Sequence, residues 1–108
     1  MNMREFTATE LDAYLRETGS TPLLLDVREP WEFDKARIEG STLIPMRQIG
    51  EHTHELGSED EIVVICHHGI RSRVVCRFLE SEGFSNVINL AGGVNAWARE
   101  VDPHMPTY

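Results

Sequence analysis

The chain has 108 residues, of which 41% are hydrophobic and 26% are charged, and its formal net charge is -8. This size and balance are typical of one globular domain, and we take residues 1–108 as that domain. An acidic chain is a poor match for nucleic acid or an anionic membrane, because both require a basic surface. We expect neither as a partner, and any attraction for an anion must be local.

The N-terminal segment "MNMREFTATE" has no apolar stretch of the kind that a secretory signal requires. No run in the sequence approaches the length of a membrane span. Two cysteines in such a chain are typical of a reducing compartment, so we expect a cytoplasmic protein.

The segment "FTATELDAYLRETGS" predicts the first helix. Thr7 and Glu10 have the spacing of a capping box, and Phe6 and Leu11 have that of a hydrophobic staple. Gly19 follows the last predicted turn, where glycine commonly ends a helix.

Four strands are predicted after this helix. The continuous apolar runs "PLLLDV" and "EIVVIC" favour strands buried on both faces of a parallel sheet, and "STLIP" and "NVINL" predict two more. The helices predicted between and after them are "EPWEFDKA", "MRQIGEHTHEL", "SRVVCRFLESEG" and "VNAWAREV". This alternation indicates an α/β fold with a mostly parallel central sheet and helices on both faces.

The two longest of these helices have apolar residues at helical spacing. The inward residues predicted for them are Val74, Val75, Phe78 and Leu79 in one, and Val94, Trp97 and Val101 in the other.

A candidate site lies at one edge of this predicted sheet. Ligands of open α/β sheets bind beyond the carboxyl ends of the strands. Cys66 comes directly after "EIVVI", and Asp26 lies at the end of "LLLD". The sequence therefore predicts that both residues lie at the same edge.

The segment "CHHGIRS" predicts a loop that holds Cys66 as a thiolate. A loop this short can turn its backbone N–H groups inward, and the helix that we expect to start near Ser72 adds the positive end of its dipole. Gly69 allows the tight curl, Arg71 adds a cation, and Ser72 can cap the helix. A lone cysteine is more often a small buried hydrophobe, but these neighbours favour a nucleophile.

Three segments carry a resemblance to a known family. "CHHGIRS" resembles the active-site loop of single-domain rhodaneses, which are sulfurtransferases, and "LLLDVREPWEF" with "RIEGSTLIP" resembles their first signature. "NLAGGVNAW" resembles their second signature. One departure is Arg37, where the first signature commonly has histidine. The resemblance implies a rhodanese-like single domain that needs no cofactor and no metal.

The resemblance also implies a reaction of the thiosulfate sulfurtransferase type. Cys66 would take the outer sulfur of a small anionic donor such as thiosulfate and hold it as a persulfide. The acceptor would be cyanide in an assay, and a small thiol or a thioredoxin-like protein in the cell. The substrate-binding residues implied are those of the loop, namely His67, His68, Gly69, Ile70 and Arg71.

The two histidines leave the donor open, because some thiosulfate-using relatives carry Arg or Lys at these positions. We expect His67 and His68 to be exposed at the mouth of the site, where partial protonation would help an anionic donor.

Three other functions remain as alternatives. Cysteine phosphatases of related fold have five residues between Cys and Arg, whereas this loop has four, residues 67–70, and the smaller ring fits one sulfur atom better. A non-catalytic binding module of this fold would usually lack the cysteine. A metal site could draw on a set of cysteine and histidine side chains, namely Cys66, His67, His68, His52, His54 and His104. No helical metal-ligand spacing is present, and the adjacent His67 and His68 cannot easily face one ion.

Five residues outside the loop have two interpretations each. We expect Cys76 to be a packing residue and Asp26 to close the strand end by bonding backbone or an arginine. Arg28 could face the mouth of the site or pair with Asp26. Trp31 and Trp97 are expected to pack in or near the core.

Overall fold

The architecture is a five-stranded sheet with the order β1-β5-β4-β2-β3. The computed structural model describes residues 3–17, 19 and 21–108, and all strand pairs among them are parallel. The strands are β1 (Arg4–Phe6), β2 (Leu23–Asp26), β3 (Thr42–Leu43), β4 (Ile62–Ile65) and β5 (Val87–Leu90). The predicted parallel α/β sheet is confirmed.

Helices cover both faces of this sheet, as predicted. They are α1 (Ala8–Glu17), α2 (Pro30–Lys35), α3 (Ile49–His52), α4 (Ile70–Ser81) and α5 (Gly93–Glu100). Leu11 of α1 and Val94 of α5 belong to the core cluster on one face. Ile49 of α3 and Leu79 of α4 belong to the cluster on the other face. Within the described ranges, no helix has the length and hydropathy of a membrane span.

Strand β4 contributes to both core clusters. Val63 and Ile65 pack into the cluster under α1 and α5, whereas Ile62, Val64 and Cys66 belong to the cluster under α4. Side chains alternate between the two faces of a strand, so a strand buried on both faces must be apolar throughout. This explains the run "EIVVI" and directs Cys66 toward the face that α4 covers.

The predicted start of α1 is confirmed in detail. The N–H of Thr7 donates to Oε1 of Glu10 at 2.8 Å, and the N–H of Glu10 donates to Oγ1 of Thr7 at 3.2 Å. Thr18 and Ser20, which the prediction included in the helical segment, lie outside the described residues.

Strand β1 was missed by the sequence analysis, which assigned Phe6 to the helical segment. It pairs with β5 at the edge of the sheet, with Arg4 opposite Ile88 and Phe6 opposite Leu90. Both Arg4 and Glu5 are exposed, so the strand has no apolar run to mark it.

Helix α4 differs from its prediction in two respects. It begins at Ile70, with Gly69 as the N-cap residue, so Ser72 lies inside the first turn and does not cap the helix. Its buried residues are Ser72, Val75, Cys76 and Leu79, whereas Val74 and Phe78 are exposed. Cys76 packs in the core and marks the buried face of the helix. The prediction placed this face too far toward Val74.

Two smaller expectations are also corrected. The helix predicted over "MRQIGEHTHEL" is broken into the four-residue α3 with a 3-10 turn on each side. Trp97 is buried as expected, but the side chain of Trp31 is 61% exposed and makes an edge contact with Tyr108.

A fully buried ion pair joins Asp26 to Arg28. Nε of Arg28 donates to Oδ1 of Asp26 at 2.9 Å, and Nη2 donates to Oδ2 at 2.7 Å. The guanidinium also donates to the carbonyl oxygens of Glu32 and Ala36 and to the hydroxyl of Tyr108. The expected role of Asp26 is confirmed, and Arg28 faces the interior rather than the mouth of the site.

Replacing Asp26 with alanine should destabilise the fold strongly. The Asp26→Ala change leaves the charge of Arg28 buried without its carboxylate, which should lower the free energy of unfolding by about 3–5 kcal/mol. The matched control is Asp12→Ala, which removes the carboxylate of the surface pair with Arg16 and should cost at most about 0.5 kcal/mol. Urea denaturation measures both, and equal costs would contradict the assigned role of the buried pair.

Candidate functional site

The loop from Cys66 to Gly69 connects β4 to α4 at the carboxyl edge of the sheet. Cys66 lies at its base with 1% of its surface exposed. The N–H of Gly69 donates to Sγ of Cys66 at 3.0 Å, so the loop curls around the sulfur as predicted. Ile70 and Arg71 belong to the first turn of α4, whose leading N–H groups have no partner within the helix.

Glycine is required where the loop meets the start of α5. Gly69 has a φ of 96°, and a Cβ there would lie 3.0 Å from the backbone nitrogen of Gly92. A Cβ on Gly93 would lie 2.3 Å from the carbonyl oxygen of Cys66. This close approach lets Val94 N–H donate to that oxygen at 2.9 Å. The "AGG" segment therefore positions the backbone of the cysteine.

A buried chain of hydrogen bonds leads away from the sulfur. Sγ of Cys66 lies 3.3 Å from Oγ of Ser72, and the Ser72 hydroxyl donates to Oδ1 of Asn89. The amide nitrogen of Asn89 donates to Glu5 at 2.8 Å and to the carbonyl oxygen of Gly69 at 3.2 Å. These two acceptors fix the orientation of the amide, since only its nitrogen can serve them.

The orientation of the Asn89 amide determines how the Ser72 hydroxyl bonds the neutral and the ionised forms of the Cys66 thiol. With its hydrogen directed to Asn89, Oγ of Ser72 can accept the S–H of a neutral Cys66. When Cys66 is ionised, the hydroxyl can rotate and donate to the sulfur instead. Ser72 is thus a hydrogen-bond partner of the cysteine rather than the helix cap that the sequence analysis expected.

Arg71 lies at the site but is paired with a carboxylate. Its Nη1 and Nη2 donate to the two oxygens of Glu32, each at 2.8 Å. This bidentate bond lowers the pKa of Glu32 to about 2 and raises the pKa of Arg71. The predicted cation is therefore present, but most of its charge is neutralised by Glu32.

The two loop histidines have different surroundings. His68 is exposed, whereas His67 is partly buried and its ring stacks on Tyr108 with centroids 4.0 Å apart. Burial, followed by the charge of His68, lowers the pKa of His67, so this ring is neutral near pH 7. The expectation of an exposed, partly protonated residue is wrong for His67.

Tyr108 also connects the C-terminal tail to two charged residues under the loop, Glu32 and Arg28. Its hydroxyl donates to Oε1 of Glu32 at 3.0 Å and accepts from Nη1 of Arg28 at 2.7 Å. Burial is the main cause that raises the pKa of Tyr108. The tail therefore belongs to the surroundings of the site, which the sequence analysis did not foresee.

Cys76 is a packing residue, as expected. It is fully buried in the core cluster under α4, and burial raises the pKa of its thiol to about 12.

Arg37, the departure from the first signature, is exposed with its guanidinium over the ring of Phe33 at 4.6 Å. Across residues 3–17, 19 and 21–108, no three His, Cys, Asp or Glu side chains are grouped to hold a metal ion.

Four residues around the loop were not predicted from the sequence, namely Glu5, Glu32, Asn89 and Tyr108. Glu32 and Asn89 lie inside the quoted segments "LLLDVREPWEF" and "NLAGGVNAW", so their motifs could have indicated them. Glu5 and Tyr108 carry no local signal, because only the fold brings the chain ends to the loop.

Removing the hydroxyl of Ser72 should make Cys66 react more slowly as a nucleophile. In Ser72→Ala the thiolate loses a hydrogen-bond donor worth about 1.5 kcal/mol, so its alkylation by iodoacetamide at neutral pH should slow by about tenfold. The rate of alkylation at Cys66 is followed by mass spectrometry. The control Ser81→Ala removes an exposed hydroxyl from the same helix and should leave the rate unchanged. An unchanged rate in Ser72→Ala would exclude the proposed bond to the thiolate.

The pair of Glu32 and Arg71 should make stability depend on pH in acid. The pKa of Glu32 falls from 4.5 to about 2 on folding. The contribution of the ion pair to the free energy of unfolding is therefore complete above pH 4.5 and is lost as the pH falls toward 2. The stability difference between the parent and Glu32→Gln should therefore shrink across this range. Urea denaturation at several pH values measures it, with the exposed Glu39→Gln as control. A difference that does not vary with pH would refute the assignment.

Comparisons with known proteins agree with this architecture. The family model described as Rhodanese-like domain matches residues 7–100. The putative sulfurtransferase YtwF of Bacillus subtilis is 35% identical over 103 residues, which are 95% of this chain and 98% of that protein. The putative sulfur carrier protein YrkF of the same organism is 35% identical over 103 residues, which are 94% of this chain and 56% of that protein.

A solved structure has the same fold over nearly its whole length. The rhodanese-like domain protein from Staphylococcus aureus superposes with a TM-score of 0.84 at 28% identity, covering 98% of this chain and 99% of that one. The chain spans 26% to 56% of the length of the first curated relatives that it matches. Because the family match covers most of the sequence and includes both the loop and the "AGG" segment, the chain belongs to the rhodanese-like domain family.

Proposed function

We propose that this chain is a sulfurtransferase that carries sulfur as a persulfide on Cys66. The observation that carries the proposal is the loop itself, in which Sγ of Cys66 accepts the N–H of Gly69 at 3.0 Å beside the N-terminus of α4. Such a position stabilises a negative charge on sulfur. The names of the two Bacillus subtilis relatives, a putative sulfurtransferase and a putative sulfur carrier, support this chemistry.

In the first step the Cys66 thiolate attacks the outer sulfur of the donor. With thiosulfate, a new S–S bond forms at Cys66 while the S–S bond of the donor breaks, and sulfite leaves with the electron pair. The terminal sulfur of the persulfide then carries the negative charge. The backbone N–H groups from His67 to Arg71 are the donors that we assign to this charge.

In the second step a thiolate or cyanide attacks the terminal sulfur. The S–S bond to Cys66 breaks, the acceptor leaves with the sulfur, and Cys66 returns as a thiolate. Ser72 can donate to this leaving thiolate once its hydroxyl turns away from Asn89. The two steps balance without an added oxidant, reductant or cofactor, and they should give ping-pong kinetics.

The identity of the donor depends on how an anion is attracted to the loop. Arg71 is paired with Glu32, and His67 is neutral near pH 7. Neither supplies an unpaired positive charge, so we assign the binding of the donor to the backbone N–H groups of the loop. Thiosulfate is the first donor to test, and a neutral or organic persulfide donor is the second. The free thiol fits a reducing compartment, for which we propose the cytoplasm.

A phosphatase is less well supported than a sulfurtransferase. Phosphate transfer needs a loop wide enough for a phosphate and an arginine that clamps its oxygens. This loop has four residues between Cys66 and Arg71 instead of five, and two of the N–H donors of Arg71 are directed at Glu32. A binding module without chemistry would have no need for the donor that the loop directs at Cys66.

Intact mass after incubation with thiosulfate tests the proposal. The parent should gain the mass of one sulfur atom and lose it on addition of cyanide, with thiocyanate as the product. Cys66→Ser should gain nothing, because a serine hydroxyl is not ionised at neutral pH. The matched control Cys76→Ser removes the other, buried cysteine and should still gain the sulfur if it folds.

Two results would count against this function. Sulfur gained by Cys66→Ser would move the nucleophile elsewhere. Failure of the folded parent to gain sulfur from thiosulfate, polysulfide and mercaptopyruvate would reject sulfur transfer, and hydrolysis of p-nitrophenyl phosphate would then favour the phosphatase.

A further inference from the structure

An exposed apolar stripe runs along α4 from the loop outward. Ile70, Val74 and Phe78 are 70%, 55% and 38% exposed, and their spacing of four residues places them on one face of the helix. Next to them lies a groove of about 270 Å³, lined by Met46, Ile49, Gly50, Val74, Val75 and Phe78. Four of the five large apolar side chains exposed in the described part of the chain belong to this face, so they form a patch rather than scattered positions.

The stripe is bordered by positive charge in an otherwise acidic chain. Between Ile62 and Leu79 the sequence contains three arginines and no Asp or Glu, although the net charge of the chain is -8. Arg71 is paired with Glu32, and Arg73 forms a looser, exposed pair with Glu5 at 3.4 Å. Arg73 and Arg77 are both exposed, and helical spacing places both along one edge of the stripe. This face therefore combines an apolar centre with a basic edge.

The stripe is continuous with the loop that a sulfur acceptor must touch. Cys66 is 1% exposed at the base of its loop, so an approaching thiol has to contact the loop residues. Ile70 directly follows the loop as the first residue of α4, and it is also the first residue of the stripe. A protein that brings a cysteine to Cys66 would cover Val74 and Phe78 as well.

We propose that the α4 stripe is the docking surface for a protein partner in sulfur transfer. The partner presents a cysteine on a segment whose neighbouring side chains are apolar, with Asp or Glu residues opposite Arg73 and Arg77. The inference rests on the proposed function, since it names the kind of acceptor or donor that reaches Cys66. A small thiol gains nothing from this surface, so the stripe selects proteins.

Charge disfavours two other occupants of the stripe. In a symmetric pair of copies whose α4 helices pack antiparallel, the basic edges would lie side by side and repel each other. An anionic membrane would attract Arg73 and Arg77 but would repel the rest of a chain with a net charge of -8.

Synthetic peptides test the docking proposal directly. One peptide has a single cysteine flanked by leucines and glutamates, a second has lysine in place of each glutamate, and a third has serine in place of each leucine. The protein is loaded with sulfur on Cys66, and transfer to each peptide is followed by mass spectrometry. Each rate is divided by the rate of the same peptide with glutathione persulfide, which removes differences in thiol reactivity.

The acidic, leucine-containing peptide should accept sulfur about tenfold faster than the other two. Phe78→Gln and Arg77→Glu should each remove most of this preference while transfer to cyanide is unchanged. The matched control Arg99→Glu reverses an exposed charge on α5, away from the stripe, and should keep the preference. Added salt should reduce the preference in the parent.

The possible failures can be told apart. If Cys66 takes up no sulfur, the proposed function fails and the docking proposal falls with it. If loading and transfer to cyanide are normal but the three peptides react alike, only the docking proposal is overturned. It is also overturned if the parent binds phosphatidylserine vesicles or dimerises and Phe78→Gln abolishes that behaviour.

Discussion

The buried guanidinium of Arg28 is the contact on which the surroundings of the site depend. It joins the end of β2, the last turn of α2 and the C-terminal tail through Asp26, Ala36 and Tyr108. An ionised group with no exposure is tolerated only when its donors are satisfied, and here every link of the network is a defined hydrogen bond. The same network ends on Glu32, which holds Arg71 beside the loop. The position of the loop arginine is thus set from the core.

This arrangement changes how the loop can stabilise a negative sulfur. A sequence with an arginine and two histidines around a cysteine suggests a site that works by free positive charge. The structure pairs the arginine and leaves His67 neutral, so backbone N–H groups and the hydroxyl of Ser72 are the nearest donors. Fixed dipoles need no reorganisation during the reaction, and they act on one sulfur atom over a short range. Selectivity would then follow from the size of the loop more than from its charge.

The sequence allowed prediction of the elements that carry strong local signals. The doubly buried run "EIVVI", the capping box at Thr7 and the curl around Cys66 were all predicted, since each depends on neighbours in the chain. The edge strand β1 has exposed charged residues and was missed, because its partner β5 lies at the other end of the sequence. The register of α4 and the stacking of Tyr108 on His67 were missed for the same reason: long-range packing decides both.

The close approach of α5 to the loop has a consequence for exchanging parts among relatives. Gly93 leaves room for the carbonyl oxygens of Cys66 and His67, and Val94 and Asn95 donate to these same oxygens. The loop and the start of α5 are therefore one module made from two separate stretches of chain. A loop transplanted from another protein would bring carbonyl oxygens in its own positions. It would not bring the backbone N–H groups at the start of α5 that donate to those oxygens. Grafting should succeed only when the "AGG" turn is transplanted with the loop.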